Sequence, residues 1–150
     1  MSTLSTLMVA PSQVVRGSGI LSQGGALMAR LGQRPLLVGG DRTLGTAAPF
    51  LEPMLDSLSV AKVSYRTDCC ESALTQLHQA LQRHRADVIV GVGGGKALDA
   101  AKLLAHQAQL PIVTVPTSAA TCAAWTALSN VYSERGAFRY DVGLPTCPEL

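Results

Sequence analysis

Aromatic residues are scarce in this chain: two Phe, three Tyr and one Trp, 4% of the total. They are too few to act as the stacking platforms of a nucleic-acid surface. Charge does not point to nucleic acid either, because 12 Lys and Arg against 10 Asp and Glu leave a net charge of only +2, and the basic residues are scattered. No apolar segment reaches the ~18 residues that a membrane span requires. The opening "MSTLSTLMVAPS" carries no basic stretch of the kind that begins a signal peptide, and reads as an ordinary start. The four cysteines, Cys69, Cys70, Cys122 and Cys147, include no CxxC pair, and the adjacent Cys69 and Cys70 cannot bridge without strain. That pattern argues against zinc-type ligation and makes a reducing cytoplasm the simplest compartment. The three histidines, His78, His84 and His106, fall on helical patterns with no HExxH. They read as surface or half-buried side chains rather than ligands. There is no internal repeat and no low-complexity tract.

What is present is apolar and alternating. Hydrophobic residues make up 47% and charged residues 15% of 150 positions, which suits one globular domain, 1–150, with a sizeable core. "RPLLVGG" (34–40), "SVAKVSYR" (59–66), "ADVIVGV" (86–92) and "LPIVTVP" (110–116) read as strands. The second is interrupted by Lys62 and Ser64, as an edge strand would be. The third is unbroken and β-branched, as a central parallel strand covered on both faces would be. Helical spacing recurs between them, from Ile20 to a stop at Gly32, over 71–84, and over 97–107. Asp68 and Glu71 fit a capping box for the second of these helices. Segment 44–58 is less regular, since Pro49 and Pro53 should kink it or split it in two. Strands alternating with helices indicate βαβ units and a parallel sheet. After Pro116 the rhythm changes, and "NVYSERGAFRYDV" (130–142) reads as a late β-hairpin turning near Glu134–Gly136.

The stretch "GVGGGKALDAAK" (91–102) places four glycines and a lysine between the third strand and a helix. Ligands of parallel α/β sheets collect at the carboxyl ends of strands, and a first helical turn offers unpaired N–H groups and partial positive charge. Glycines let a phosphate approach that backbone. The residues are equally compatible with a tight packing turn. Two familiar fingerprints fail: GxGxxG would need glycine where Lys96 stands, and Walker A would need glycine at Val90 and a hydroxyl residue at Ala97. Asp99 either favours the helix N-terminus or places a carboxylate in the same cleft. Asp41, after the first strand, either accepts from a ribose or caps the next helix. The other glycine cluster, "GSGILSQGG" (17–25), reads as a turn into a helix.

Three stretches taken together, 91–102, "VPTSAATCAAWTALSNVYSERGAF" (115–138) and "GSGILSQGGALMARLGQRPLLVGGD" (17–41), resemble the iron-containing (group III) alcohol dehydrogenase superfamily, in its glycerol-dehydrogenase-like branch. The first matches that family's GGGxxxD signature. The resemblance implies a Rossmann-like, dehydroquinate-synthase-like N-terminal domain that binds NAD or NADP. It also implies a helical C-terminal domain, absent from this chain, whose Asp and His residues hold a divalent zinc or iron that polarises an alcohol for hydride transfer. It implies that the turn from Gly93 meets the cofactor, with Gly94, Gly95 and Lys96 against the diphosphate. Asp99 would reach toward the nicotinamide side and Thr117 toward the adenine side, with Ser118 next to it. Thr126, Leu128 and Tyr132 would line the cleft. Asp41 is the expected ribose reader, and neighbouring Arg42 leaves a 2′-phosphate possible.

The chain departs from the family at Cys122, where glycerol dehydrogenases carry an Asp that contacts glycerol. A thiol replaces that acceptor poorly, so the expected substrate is an alcohol or polyol other than glycerol. Cys122 as a nucleophile lacks a local His to activate it. No catalytic residue and no metal ligand is expected within the chain, because the family's ligands would fall beyond Leu150; the chain alone is therefore expected to be inactive. Without its helical neighbour the α/β domain is expected to expose an apolar cleft and to form a homo-oligomer. Competing readings are an NAD-dependent sugar-phosphate cyclase of dehydroquinate-synthase type, a glycerol-1-phosphate dehydrogenase, which carries His-Asp where this chain has Thr121-Cys122, and a non-catalytic nucleotide-binding module. The "TALSNVYS" match (126–133) favours the dehydrogenase. Metal-dependent turnover by the chain alone, or a clean monomer in light scattering at high concentration, would count against the two expectations.

Overall fold

Apolar runs and amphipathic segments alternate to build a parallel sheet with helices on both faces. The computed structural model describes residues 10–64 and 68–150. Strands β1 (Pro35–Gly39), β2 (Ala61–Ser64), β3 (Val88–Gly93) and β4 (Ile112–Pro116) lie in the order β2-β1-β3-β4, every neighbouring pair parallel. Helices α1 (Gly25–Leu31), α2 (Asp41–Leu55), α3 (Glu71–His84) and α4 (Gly95–Ala108) alternate with them. The chain steps one way from β1 through α2 to β2, then the other way through α3 to β3 and through α4 to β4. Right-handed crossovers therefore place α2 on one face and α3 and α4 on the other.

The side chains agree with this arrangement. Leu36, Val38, Ile89 and Ile112 pack with Leu74, Leu77 and Leu104 of α3 and α4. Leu37, Val88, Val90 and Val113 pack with Met28 of α1 and Leu44, Leu51 and Leu55 of α2. Successive residues of each strand thus feed opposite faces. Every residue of β1 and β3 is buried, as in a strand covered on both sides, whereas β2 alternates between half-buried and exposed. The reversal of direction falls between β1 and β3, the switch point at which such sheets open a crevice.

Four expectations need correction. Segment 44–58 is not split by its prolines: Pro49 and Pro53 both sit inside the single helix α2. Each removes one backbone bond, but Leu44, Leu51, Met54 and Leu55 are buried on either side of them, and packing of that face outweighs the missing donors. The segment from Ile20 is two pieces, a 3-10 turn over Ile20–Gln23 and then α1, separated by Gly24. Gly24 lets Met54 pack close there, since a Cβ would lie 2.7 Å from the Met54 sulfur. Asp68 does not cap α3; the N-cap is Cys70, without a side-chain bond, and the Asp68 carboxylate is paired elsewhere. The second strand is shorter than 59–66, and Tyr65 and Arg66 lie outside the described residues, as do the first nine residues of the opening stretch.

The hairpin forms as expected: β5 (Leu128–Tyr132) and β6 (Phe138–Gly143) pair antiparallel, with a bulge at Val131/Tyr132. Its turn is closed by the Ser133 N–H to the Ala137 carbonyl at 2.8 Å, with Gly136 at φ 78°. It is tied to the start of α3 by the Tyr132 N–H donating to the Cys69 carbonyl at 2.8 Å and by the Ser72 hydroxyl donating to Glu134 at 2.8 Å. That second bond holds the Glu134 carboxyl below its ordinary range. An Arg139–Glu71 pair at 3.2 Å lies next to it. At the far edge of the sheet, the Glu149 N–H donates to the Ile112 carbonyl and the Thr114 N–H to the Leu150 carbonyl, at 2.9 and 2.8 Å.

Gly91 sets how closely α4 approaches β3, because a Cβ there would lie 2.7 Å from the Ala101 Cβ. Gly91→Ala is expected to destabilise the chain by about 1–3 kcal/mol, read as a drop of several degrees in the thermal unfolding midpoint. An unchanged midpoint would show that α4 is not seated this tightly.

Candidate functional site

The carboxyl ends of β1 and β3 meet at the switch point, and both end in glycine. A Cβ on Gly39 would lie 2.5 Å from the Val92 carbonyl oxygen, so the two strand ends are as close as bare backbone allows. Gly93 has φ 152°, and a Cβ there would lie 2.7 Å from the Ala97 Cβ. Both observations demand glycine. Gly94 differs: it is the N-cap of α4 at φ −84°, makes no side-chain cap bond, and a Cβ on it would meet nothing within 4 Å. The first turn of α4 carries no acid. Its leading amides have no intrahelical acceptor, and the space beside the Gly94 α-carbon is open. An uncapped helix start of this kind can take an anion.

Side chains from three directions surround this turn. From β1, Gly40 caps α2 and Asp41 is its exposed first residue. Thr43, one turn into α2, reaches to 3.8 Å of a Cβ position on Gly93 and 4.0 Å of one on Gly40, so it stands between the two glycine turns. From β4, the Thr117 N–H donates to the Gly93 carbonyl at 3.0 Å, which brings exposed Thr117 and Ser118 alongside. The Thr121 hydroxyl oxygen lies 3.0 Å from a Cβ position on Gly95 and accepts from the Ala123 N–H at 3.1 Å. Thr43 and Thr121 escaped sequence reasoning. A threonine four residues past a glycine strand end was the only available hint for the first, and nothing in the sequence pairs the second with Gly95.

The lysine of the turn does not lean over the glycines. The Lys96 Nζ lies 2.6 Å from Asp68 Oδ1 and 5.3 Å from the centre of the Tyr132 ring. The hydrogen bond to Asp68 raises its basicity. Tyr132 in turn meets Phe138 edge-on, with ring centres 6.2 Å apart.

Asp99 is also turned inward. It is 5% exposed and pairs with Lys102, 1% exposed, at 3.2 Å. The pair serves the free edge of β5. Asp99 accepts the Asn130 N–H at 3.2 Å, and the Lys102 ammonium donates to the carbonyls of Thr126, at 3.1 Å, and Leu128. Two charged side chains of α4 thus stand where a neighbouring strand would, while β6 occupies the other edge. Burial pushes the Asp99 carboxyl up and the Lys102 ammonium down, each opposed by the charge of the other. Leu128, 39% exposed, and the half-buried Asn130 and Tyr132 alternate along the strand with buried Ser129 and Val131. The Thr126 hydroxyl is 3.4 Å from the Lys102 ammonium. Lys102 was read only as part of a helix; a lysine three residues beyond an aspartate looks like a surface pair until burial is known. Cys122 is exposed, whereas Cys69 is buried, its thiol pushed up to about 12 chiefly by that burial.

Among the described residues no group of three or more His, Cys, Asp or Glu side chains converges. These residues do not by themselves form a site for a divalent metal. Lys102→Met, which strands Asp99 without its partner, is expected to cost about 3–5 kcal/mol in chemical denaturation, and Asp99→Leu/Lys102→Met should cost less than the single change. A single variant as stable as the parent would show that the pair is not buried.

The match to known proteins agrees with this geometry. The iron-containing alcohol dehydrogenase family model covers residues 11–150. An uncharacterized oxidoreductase of Synechocystis sp. is 49% identical over 98% of this chain and 38% of its own length. A glycerol dehydrogenase of Escherichia coli is 30% identical over 98% of this chain and 41% of its own. The crystal structure of a probable glycerol dehydrogenase from Sinorhizobium meliloti superposes with a TM-score of 0.85 at 27% identity, over 96% of this chain and 39% of that one. The chain therefore spans about two fifths of the length of the relatives it matches. With the family model matching nearly the whole chain and a relative 49% identical across it, the chain belongs to the iron-containing alcohol dehydrogenase family.

Proposed function

We propose that residues 1–150 are the NAD- or NADP-binding domain of a metal-dependent alcohol or polyol dehydrogenase. The observation that carries the reading is Gly94: an uncapped helix start at the sheet's switch point, with no acid in its first turn and no atom within 4 Å of its missing Cβ. A diphosphate matches the charge and the donors of such a turn. Gly93 supplies the bend, and the amides of Gly94, Gly95 and Lys96 take the diphosphate oxygens. Asp41 at the start of α2 accepts from a ribose, and Arg42 next to it suits a 2′-phosphate. Thr117 and Ser118 flank the adenine side. Asp99, buried, acts on the nicotinamide side through β5, whose Thr126, Leu128 and Tyr132 line the cleft.

The bound nicotinamide supplies the hydride acceptor, and the work of this chain is to bind and orient it. Cys122, exposed at the loop after β4, faces the alcohol; sulfur is a weak hydrogen-bond acceptor, which favours substrates less polar than glycerol. The glycerol dehydrogenase among the relatives supports the class of substrate, a small alcohol or polyol. Homo-oligomerisation and a cytoplasmic location remain part of this proposal.

The test separates binding from folding. A side chain at Gly94 enters open space, and aspartate is a good N-cap, so Gly94→Asp should hold or raise stability by a few tenths of a kcal/mol. The same carboxylate repels a diphosphate. Fluorescence titration with NADH is expected to show saturable binding by the parent and at least tenfold weaker binding by Gly94→Asp. Equal affinity in the two proteins, or none in the parent, sinks the proposal.

A further inference from the structure

Asp68 has no part in the reading above, yet it lies where it matters to the glycine turn. It precedes α3, and its Oδ1 is 2.6 Å from the Lys96 Nζ. On its other side is the hairpin turn, where a Cβ on Gly136 would lie 2.9 Å from Asp68 Oδ2. Gly136 has φ 78°, so the conformation that leaves room for this carboxylate is one that favours glycine. Three separate segments, the stretch leading into α3, the first turn of α4 and the tip of the hairpin, thus converge on one ion pair. Lys96 keeps 55% of its side-chain surface exposed while Asp68 keeps 22%, so the lysine is the partner with room to move.

We propose that Asp68 sets the affinity of the glycine turn for anions, by holding the Lys96 ammonium that a diphosphate must draw away in order to bind. The inference rests on the dinucleotide reading of that turn. A lysine is a compact charge on a flexible four-carbon stem, and from the first turn of α4 it can serve either an anion at the helix start or the carboxylate of Asp68. While it is paired with Asp68 its charge is neutralised, and the carboxylate itself repels an incoming anion. Ligand binding therefore breaks one ion pair as it makes another, which weakens the net grip. When the ligand leaves, Asp68 retakes the lysine, which favours release. Release rather than chemistry limits turnover in many enzymes, so a held lysine trades affinity for exchange. The Tyr132 ring, 5.3 Å from the ammonium, gives the charge a second resting contact on the hairpin side.

NADH titration of four chains tests the idea: parent, Asp68→Asn, Lys96→Met and Asp68→Asn/Lys96→Met, each checked by thermal unfolding. Asp68→Asn is expected to bind NADH at least fivefold more tightly than the parent, and Lys96→Met more weakly. The double variant should match Lys96→Met, because the effect of Asp68 runs through Lys96. Asp68→Ala, expected to shift affinity in the same direction, stands in if the asparagine variant does not fold. Unchanged or weaker binding by the Asp68 variants overturns the inference while leaving the dinucleotide reading intact, since the parent still binds. So does a gain that persists undiminished in the Lys96→Met background, which would mark simple repulsion rather than a held lysine. Absence of saturable binding in the parent overturns both.

Discussion

The close seating of α4 on β3 is the constraint from which the site is built. Gly91 meets Ala101 and Gly93 meets Ala97, each pair too close to admit a Cβ on the glycine. That seam of small residues brings the helix down onto the central strand, with its start directly over the strand's end. Were larger residues present at either glycine, the helix would have to lift or slide, and the amides of its first turn would no longer face the crevice between β1 and β3. The same helix then supplies Lys96 at its first turn, Asp99 about one turn further along and Lys102 a turn beyond that. Sheet, turn and hairpin all meet this one helix.

The hairpin illustrates what that helix does beyond presenting a turn. A two-stranded ribbon apart from the main sheet is marginal by itself, and one of its edges would leave backbone groups without partners. Here β6 fills one edge of β5, and the other is filled by a carboxylate and an ammonium from α4. Burying two charges is expensive, and an apolar pair of similar volume is often at least as stable. The ion pair does what an apolar pair cannot, since it supplies both an acceptor for the Asn130 N–H and donors for two carbonyls. Further contacts from Cys69, Ser72 and Glu71 tie the hairpin to the start of α3, so its orientation is set from two elements at once.

Much of this was legible from residue patterns. Three of the parallel strands were readable as continuous apolar runs and β2 as an interrupted edge run, and α3 because Leu74, Leu77 and Leu81 recur at helical spacing. The hairpin was readable from two arms around Glu134–Gly136, and the glycine turn from four glycines between a strand and a helix. The misreadings share a physical origin. Pro49 and Pro53 break helices by local rules, but α2 is held by what it packs against. Asp68 has the right spacing to cap α3, but a stronger partner in Lys96 lies 28 positions along the chain. Thr43 and Thr121 approach the turn from separate elements, and no local pattern joins them to it.

By itself, the order of apolar runs, helical periods and glycines determined the alternation of strands and helices, the central place of β3, the edge place of β2 and the presence of a glycine-rich turn before α4. These follow from short-range sterics and from the period at which side chains must be buried, both of which are written along the chain. Only the tertiary structure decided that Asp99 and Lys102 are buried together, that Lys96 is held by Asp68, and that Gly94 opens on empty space while Gly93 and Gly95 do not. The energy of a charge depends on its burial and its neighbours, and those are properties of segments that meet across the fold.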